Sequence, residues 1–296
     1  MSSDLDVFAR ERPRLFGIAY RMLGSVGEAE DVLQDAWLRW QQTDTARIEN
    51  PSAFLVRVVT RLAIDALGAA RNRLTDYVGP WLPEPLVRTS EEESPESLRA
   101  LAEDLSIAFL LLLERLSPVE RAVFLLREPF DLSYREIAEV VGKSEAACRQ
   151  IEHRARQRLN EEGGPPRQAD PEEHGRLLSG FLHAVKDGDI QRMMALLADD
   201  AVLVSDGGGK ARAALLPIYG SDRITRFFNS IVTKFGDAGI EARPAIVNGE
   251  PGSLNFLGGR LANVLSIQIE DGRIRRLFLV VNPDKLARLA QVAGGS

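Results

Sequence analysis

The group of side chains best suited to binding a polyanion lies between Arg149 and Arg158. These ten residues contain four arginines and one glutamate, a local charge of +3 in a chain whose total charge is −6. Long polar side chains on an exposed helix can reach base edges and phosphates in the DNA major groove. The same pattern would also fit a helical hairpin with a basic, solvated face, so the residues alone leave both interpretations open.

Capping sequences predict the helices that would position this basic segment. Ser117-Pro-Val-Glu120 and Ser133-Tyr-Arg-Glu136 each match a capping box, in which serine and glutamate bind the free amides of a helix start. Gly142 can end the second helix in a left-handed conformation, and Ser144 can cap the next one. A short helix, a glycine turn and a second helix are typical of a helix-turn-helix unit.

The first 80 residues carry further helix signals. Ser25-Val-Gly-Glu28 resembles another capping box, and Asn50-Pro51 predicts an N-cap followed by proline at the first helical position. An apolar stripe then leaves Arg57 and Arg61 on an exposed face. This segment could be an ordinary helical bundle with solvated charges, since it contains no evident catalytic pair.

Composition narrows the classes of protein. A pI of about 5.4 argues against a uniformly basic DNA-binding domain. Residues 81–115 carry three basic and eight acidic residues, including Glu91–Glu93, and predict a solvated linker; residues 161–171 predict a second. One cysteine, Cys148, and three histidines exclude an internal disulfide framework and a structural zinc site of the usual spacing. With no signal peptide and no long apolar run, we expect a cytoplasmic protein.

The last part of the chain has a different pattern. Helices are predicted over 172–186, 190–197 and 224–235, and strands over 245–248, 261–270 and 274–281, with a hairpin turn at Glu270-Asp271-Gly272. Helices followed by antiparallel strands favour an α+β domain. Asp206 could serve as a general base, but the sequence offers no convincing partner. The two histidines of this part, His174 and His183, are expected on its first helix, exposed or satisfied in the core.

Two long segments resemble the extracytoplasmic-function group of bacterial sigma-70 factors. Ile18–Trp40 with Ala53–Leu67 is similar to region 2, and Leu116–Leu159 is similar to region 4. The resemblance implies two all-α sigma domains and a role in promoter-specific transcription initiation. It implies that core RNA polymerase docks on Asp31, Gln34, Asp35 and Leu38, and that the −10 element faces Arg57 and Arg61. The −35 element would be read by Lys143, Ser144, Arg149, Gln150, His153 and Arg154.

The C-terminal part resembles the SnoaL-like, cone-shaped α+β barrel. Three short motifs are similar to those of the sigma subgroup that carries such an extension: Trp81-Leu-Pro-Glu-Pro85, Asp206-Gly-Gly-Gly-Lys210 and Asn282-Pro-Asp-Lys285. The resemblance implies that the extension regulates sigma activity, through Trp81, Pro83, Glu84, Asp206, Gly207, Gly208, Gly209, Lys210, Asn282, Pro283, Asp284 and Lys285. As bare sequence, the glycines could be a flexible turn, Asn282–Lys285 a simple turn, and Trp81–Pro85 a stiff linker with one aromatic anchor.

These inferences divide the chain into sigma region 2 (1–80), an acidic linker running into region 4 (81–115), the helix-turn-helix (116–160), a linker (161–171) and the SnoaL-like domain (172–296). We expect no enzyme activity, no cofactor and no metal. The expected partners are core RNA polymerase, promoter DNA and the sigma core itself through the C-terminal domain, with a small-molecule ligand of the barrel as a further candidate. The alternative is a ligand-sensing or enzymatic SnoaL-like domain fused to a DNA-binding module.

Overall fold

The computed structural model describes residues 4–74, 76–88, 106–161, 164, 169–236 and 239–293. The chain forms two compact units. The first contains residues 4–74 and 109–161, and the second contains residues 76–88, 106–108 and 169–293. The acidic run Glu91–Glu93 and most of the linker at 161–171 lie outside the described residues.

The first unit is entirely helical. Its elements are α1 (Asp4–Leu23), α2 (Val26–Gln41), a 3-10 turn (Thr45–Arg47), α3 (Pro51–Leu74), α4 (Ile107–Leu113, in this unit from Phe109), α5 (Pro118–Arg127), α6 (Tyr134–Val141) and α7 (Glu145–Glu161). Helices α1, α2 and α3 pack on one another. Trp40 is buried between them, and its indole Nε1 donates to the Asp4 carbonyl at 3.1 Å, which ties the end of α2 to the start of α1.

Most of the predicted helix starts are confirmed. The Ser117–Glu120 and Ser133–Glu136 capping boxes are complete in both directions. Asn50 Oδ1 accepts from the Ala53 amide at 3.0 Å, and Ser144 Oγ accepts from the Ala147 amide at 3.2 Å. Each cap satisfies an amide that has no partner inside its helix.

The turn of the helix-turn-helix is confirmed as well. Gly142 has φ 68°, the left-handed conformation that glycine adopts without the cost of a Cβ, and it ends α6. Helix α7 then buries Cys148, Ile151, Ala155 and Leu159, as their spacing predicts. The burial of this stripe fixes which side of α7 faces away from the core.

The second unit is an α+β domain, as predicted. Helices α8 (Pro171–Asp187), α9 (Ile190–Leu196), α10 (Ser221–Phe235) and α11 (Pro283–Ala293) accompany seven strands. The strands are β1 (Val87–Arg88), β2 (Leu197–Asp206), β3 (Ile218–Tyr219), β4 (Ile240–Val247), β5 (Glu250–Leu257), β6 (Arg260–Glu270) and β7 (Arg273–Val280). They form one mixed sheet in the order β1-β4-β5-β6-β7-β2-β3, in which only the β2–β7 pair is parallel among the described strands.

Two-residue turns join the central strands. Asp271 and Gly272, with φ 51° and 71°, join β6 to β7 as predicted, and Asn248 and Gly249, with φ 51° and 82°, join β4 to β5. Strand β5 is missing from the sequence prediction although Asn-Gly is a strong hairpin signal. Strand β2 is also missing, because its polar start at Asp199-Asp200 hides the alternation of its buried residues.

Helices α8 and α10 cover one face of the sheet, which we call the inner face. On the inner side, Leu178 and Phe181 of α8 and Phe228 of α10 pack with Leu265 of β6 and Leu279 of β7 in one core. Helix α11 packs on β6, with Leu286 buried. The sheet therefore separates two layers, an apolar core under α8 and α10 and an outer layer.

Candidate promoter-binding face, polymerase-binding face and linker cluster

The residues predicted to read the −35 element all lie on the surface of the helix-turn-helix. They occupy the turn before α7 and its first ten residues, and each is exposed: Lys143, Ser144, Arg149, Gln150, His153 and Arg154. We call this set the α7 face. Because the opposite stripe of α7 is buried in the first unit, the α7 face is held in a fixed orientation by its helix.

Arg149 is the best-anchored side chain of the α7 face. Its guanidinium lies 5.2 Å from the ring centroid of Tyr134, at the start of α6, and 3.6 Å from the Glu145 carboxylate. The side chain is still 56% exposed. A cation on an aromatic ring gains a modest attraction and loses rotamer freedom, so Arg149 is partly preorganised.

The other two arginines of the basic segment are committed to ion pairs within the first unit. Arg156 binds Glu152 at 2.6 Å and also Glu128, and Arg158 binds Glu120 at 2.9 Å. Glu152 itself is buried. The local charge of +3 thus overstates the free positive charge of α7, because these two guanidinium groups are neutralised by contacts that fasten α7 to α5 and to the turn after it.

Arg57 and Arg61, predicted to face the −10 element, lie on α3 one turn apart but make different contacts. Arg57 packs over the Phe54 ring at 5.3 Å. Arg61 donates to two main-chain carbonyls at the end of α6, Val140 O at 2.8 Å and Glu139 O at 3.1 Å. The last carbonyls of a helix have no partner inside the helix, so Arg61 acts here as a C-terminal cap of α6.

The predicted polymerase-binding residues form one uncovered face of α2. Asp31, Gln34, Asp35 and Leu38 are all exposed, and Leu38 keeps 47% of its surface in solvent. The opposite side of α2 buries Val32, Leu33, Ala36 and Trp40. An exposed leucine beside two carboxylates is a surface suited to a partner with both basic and apolar groups.

The three short motifs meet in the second unit around Asp206, the last residue of β2. Its carboxylate is fully buried. Oδ1 accepts from the Tyr77 hydroxyl at 2.6 Å, and Oδ2 accepts from the Leu82 amide at 2.8 Å and from Lys285 Nζ at 2.7 Å. We call Tyr77, Leu82, Asp206, Asn282 and Lys285 the linker cluster, because the first two belong to the segment before β1.

The remaining contacts of the linker cluster close the network. Lys285 Nζ also donates to the Leu82 carbonyl and lies 4.5 Å from the centre of the Trp81 ring. Asn282 Nδ2 lies 2.9 Å from the Tyr77 hydroxyl, and its Oδ1 accepts from the Asp284 amide as the cap of α11. Burial and the hydrogen bond to Asp206 raise the pKa of Tyr77, so its hydroxyl stays protonated and donates.

The glycines after Asp206 form a tightly packed turn. Gly208 and Gly209 have φ 57° and 70°. A Cβ on Gly208 would overlap the Asn282 amide and lie 3.0 Å from the Tyr77 hydroxyl, and a Cβ on Gly209 would lie 3.1 Å from Val78. The glycines do lie in a turn, and the absence of their Cβ atoms admits the close approach of Tyr77, Val78 and Asn282. Lys210, next in the chain, forms an exposed ion pair with Asp284.

The segment 81–88 is packed on the second unit, so the expectation of a solvated linker is wrong for it. Leu82, Pro83, Glu84 and Pro85 are buried. The Leu86 amide donates to Asn248 Oδ1 at 3.1 Å, and Val87 and Arg88 pair antiparallel with Val247 and Ile246. The burial of its leucine and proline side chains favours packing of this segment on the sheet, although the segment carries charge. Asn282–Lys285 likewise caps and begins α11 and is not a simple turn.

His174 also differs from its expectation. It lies on α8 but is buried, and its Nε2 has no hydrogen-bond partner. Burial lowers the pKa of His174 to about 4, so the ring is neutral. His183 is exposed, with Nδ1 at 2.7 Å from the Ser179 carbonyl oxygen. Cys148 is buried, and burial raises the pKa of its thiol, which fits a packing role.

Comparison with known proteins identifies the family. The model of sigma-70 region 2 matches residues 7–73, and a model of sigma-70 region 4 matches residues 106–159. The ECF RNA polymerase sigma factor SigJ of Mycobacterium tuberculosis is 37% identical over 294 residues, covering 95% of this chain and 93% of SigJ. The chain belongs to the ECF RNA polymerase sigma factors. Probable ECF sigma factor SigI of Mycobacterium tuberculosis is 32% identical over 290 residues, covering 96% of this chain and 95% of SigI.

The similarity extends to the fold of the whole sigma factor. The crystal structure of Mycobacterium tuberculosis SigJ superposes with a TM-score of 0.77 at 34% identity, covering 95% of this chain and 97% of SigJ. The predicted fold class is thus confirmed, with helical sigma regions followed by a SnoaL-like α+β extension. Sigma factors of this family bind core RNA polymerase and promoter DNA.

The described residues include no helix that is long and apolar enough to cross a membrane. They also contain no group of three or more histidine, cysteine, aspartate or glutamate side chains arranged to hold a metal ion.

Proposed function

We propose that this sigma factor reads the −35 element with the α7 face, faces the −10 element with Arg57 and Arg61, and docks on core polymerase through Asp31, Gln34, Asp35 and Leu38. The observation that carries the proposal is the contrast within α7. All four arginines of this segment are exposed, but Arg156 and Arg158 reach carboxylates outside α7, on Glu128 and Glu120, whereas Arg149 pairs only loosely within the helix, with Glu145 at 3.6 Å. Polar side chains left on one exposed face of a second helix are what major-groove readout requires.

Promoter assays test the assignment of the −35 residues. Arg149→Ala with Arg154→Ala should weaken promoter-specific binding of the holoenzyme by at least tenfold, since a base or phosphate contact contributes about 1–3 kcal/mol. Arg135→Ala is the matched control, because Arg135 is an exposed arginine of α6 outside the α7 face, paired with Glu139 at 3.7 Å. Equal transcription by the double variant and the control would remove the −35 assignment.

The polymerase-binding face has its own test. Asp35→Ala should lower the fraction of holoenzyme formed at limiting core polymerase, measured on a native gel, because it removes an exposed carboxylate from the α2 face. Asp44→Ala, an exposed aspartate paired with Arg47 outside that face, is the control. Holoenzyme formation equal to that of the control would contradict the proposed docking surface.

Arg61 already has partners within the first unit. Its Nε and Nη2 donate to the carbonyls of Val140 and Glu139 although the residue is exposed, so turning the whole guanidinium toward DNA would break these two hydrogen bonds. Hydrogen bonds between charged and neutral groups contribute about 1.5–3 kcal/mol, which binding of polymerase and DNA must offset.

For the second unit we propose regulation of the sigma regions and no catalysis. Asp206, the one candidate general base from the sequence, is engaged by three donors in the linker cluster and is occupied as a structural acceptor. Residues 81–88 continue from this cluster toward region 4 in the chain, so a change in their packing would be transmitted along the connection between the two sigma regions. Promoter output of variants in Asp206–Lys210, compared at equal abundance, tests this role.

A ligand-sensing or enzymatic unit is the second candidate, and a cavity in the second unit supports it. Turnover of a small substrate by the full chain, abolished by a substitution in that cavity, would support the enzymatic alternative. The division of the chain into five segments also stays a proposal.

A further inference from the structure

The second unit contains a cavity of about 660 Å³ between the inner face of the sheet and helices α8 and α10. Its walls are mostly apolar, with Leu178 and Phe181 from α8, Phe228 from α10 and Leu265 from β6. This volume lies within the range of about 300–1,000 Å³ that is usual for small-molecule sites. The lining predicts a ligand whose body is apolar.

One buried polar atom of a lining residue, the Nε of Arg88, has no hydrogen-bond partner. Arg88 lines the cavity from β1. The register explains its direction, because Arg88 is opposite Ile246, which is opposite Pro251, and all three line the cavity. Buried polar groups are nearly always hydrogen-bonded, so a guanidinium N–H without a partner beside a cavity suggests an acceptor that binds there.

Two other polar side chains of the wall, Asn255 and Glu241, are already paired with protein groups. Asn255 donates to Asn263 at 2.7 Å and accepts from Ser253 at 3.2 Å. Glu241, the one carboxylate among the described lining residues, binds Arg243 at 2.7 Å.

Lys186 lines the cavity as well. Because Glu241 is paired with Arg243, the charges of Arg88 and Lys186 leave the lining of the cavity positive. An anion would satisfy Arg88, and a neutral apolar ligand would leave it unpaired.

We propose that this cavity binds an apolar monocarboxylic acid, with its carboxylate on Arg88 and its hydrocarbon body between α8 and α10. A guanidinium pairs well with a carboxylate because both are planar and the hydrogen bonds are charge-assisted. The apolar walls bury the hydrocarbon part of the ligand, and this burial contributes to affinity through the hydrophobic effect, which does not depend on direction.

Arg88 lies on an edge strand, so a ligand bound to it would affect how that strand is held. Arg88 belongs to β1, four residues after Glu84, and β1 pairs only with β4 among the described strands. A carboxylate bound to Arg88 would hold this short edge strand against the sheet. The segment 77–88 would then be fixed at both ends, by the linker cluster at Tyr77 and Leu82 and by the ligand at Arg88. The inference goes beyond the proposed regulation, and its test uses neither polymerase nor DNA.

The test measures binding of dodecanoate and of methyl dodecanoate to the full chain by titration calorimetry below micellar concentrations. The acid should bind at least tenfold more tightly than the ester, although the ester is the more apolar compound. Arg88→Met should remove at least tenfold of the affinity for the acid and change that for the ester by less than about twofold.

Two variants complete the design. Arg260→Met replaces an exposed arginine of β6 outside the cavity and should leave both affinities unchanged. Leu178→Trp should abolish binding of both compounds by filling the cavity. Hydrogen exchange of the peptide covering residues 82–88 should slow when dodecanoate is bound.

Three outcomes would overturn the proposal: no binding of dodecanoate, an ester that binds as tightly as the acid, or an acid affinity that Leu178→Trp does not alter. The comparison of acid and ester on the unaltered chain decides the matter even if a variant fails to fold. Loss of promoter activity in a separate assay would bear on the sigma role alone.

Discussion

Replacing Asp206 by asparagine should release the linker from the second unit while leaving the sheet folded. The substitution keeps the shape of the side chain but removes its charge. The amide can turn its oxygen toward the Leu82 amide and Lys285 Nζ, which lie 2.8 and 2.7 Å from Oδ2. Its nitrogen then faces the Tyr77 hydroxyl. What is lost is the countercharge of an ammonium group that is only 12% exposed.

The structure sets the size of the effect. Breaking a buried ion pair by removing one partner costs about 3–5 kcal/mol. Lys285 retains its contacts with the Leu82 carbonyl and with the rings of Trp81 and Tyr77, so we expect a smaller cost of about 2–3 kcal/mol. Lys285→Met should cost about as much, because it leaves the Asp206 carboxylate buried without a cation. The double variant should cost much less than the sum, with a coupling energy of at least about 1.5 kcal/mol.

Hydrogen exchange with peptide resolution measures this directly. Exchange of the peptide covering residues 77–88 should accelerate by roughly thirtyfold for 2 kcal/mol, while peptides from β6 and β7 stay protected. Asp284→Asn is the matched control. Asp284 pairs with Lys210, but the two side chains are 62% and 58% exposed, so this change should cost less than about 1 kcal/mol.

Two results would refute the reasoning. One is exchange in the Asp206→Asn chain indistinguishable from that of the Asp284→Asn control. The other is additivity of Asp206→Asn and Lys285→Met, which would mean that the two groups do not stabilise each other. Uniform acceleration over the whole second unit would show instead that the linker cluster supports the sheet.

Three further substitutions test other parts of the second unit. Gly208→Ala should lower its thermal midpoint more than Gly259→Ala does, because both glycines have positive φ but only at Gly208 would a Cβ meet Asn282. Burial lowers the pKa of His174 from 6.5 to about 4, so the unit should lose stability as the pH falls through this range, approaching about 1.4 kcal/mol per pH unit; His174→Phe should flatten that slope in urea unfolding. Burial raises the pKa of Glu250 from 4.5 to about 7, which has the opposite sign, so stability is lost as the pH rises from 4.5 to 7 and Glu250→Gln should recover it at pH 8.

The sequence predicts the first unit better than the second, for a local reason. Capping residues such as Ser117, Ser133 and Asn50 act within three residues of their own position, and the left-handed Gly142 acts at a single one. Such signals are visible in a short stretch of sequence. The outward direction of the α7 face follows from the same local periodicity.

The linker cluster depends on contacts that no local pattern reveals. Tyr77, Asp206 and Asn282 lie more than 70 residues apart in the chain, and only the folded sheet brings them together. Tyr77 belongs to no motif, so sequence reasoning missed it. Proline and acidic residues made the linker look solvated, whereas Leu82 and its neighbours are buried.

The arginines of this chain show why net charge is a poor guide to its partners. Arg156 and Arg158 add to the basic composition of α7, but they form ion pairs with Glu128, Glu152 and Glu120. Arg61 donates hydrogen bonds to main-chain carbonyls of α6. In the proposed −35 assignment, the positive charge offered to DNA lies on the α7 face, where a few exposed side chains would act against the short-range phosphate field. An acidic protein can therefore present a basic recognition surface, provided that its carboxylates are placed where they bind other arginines.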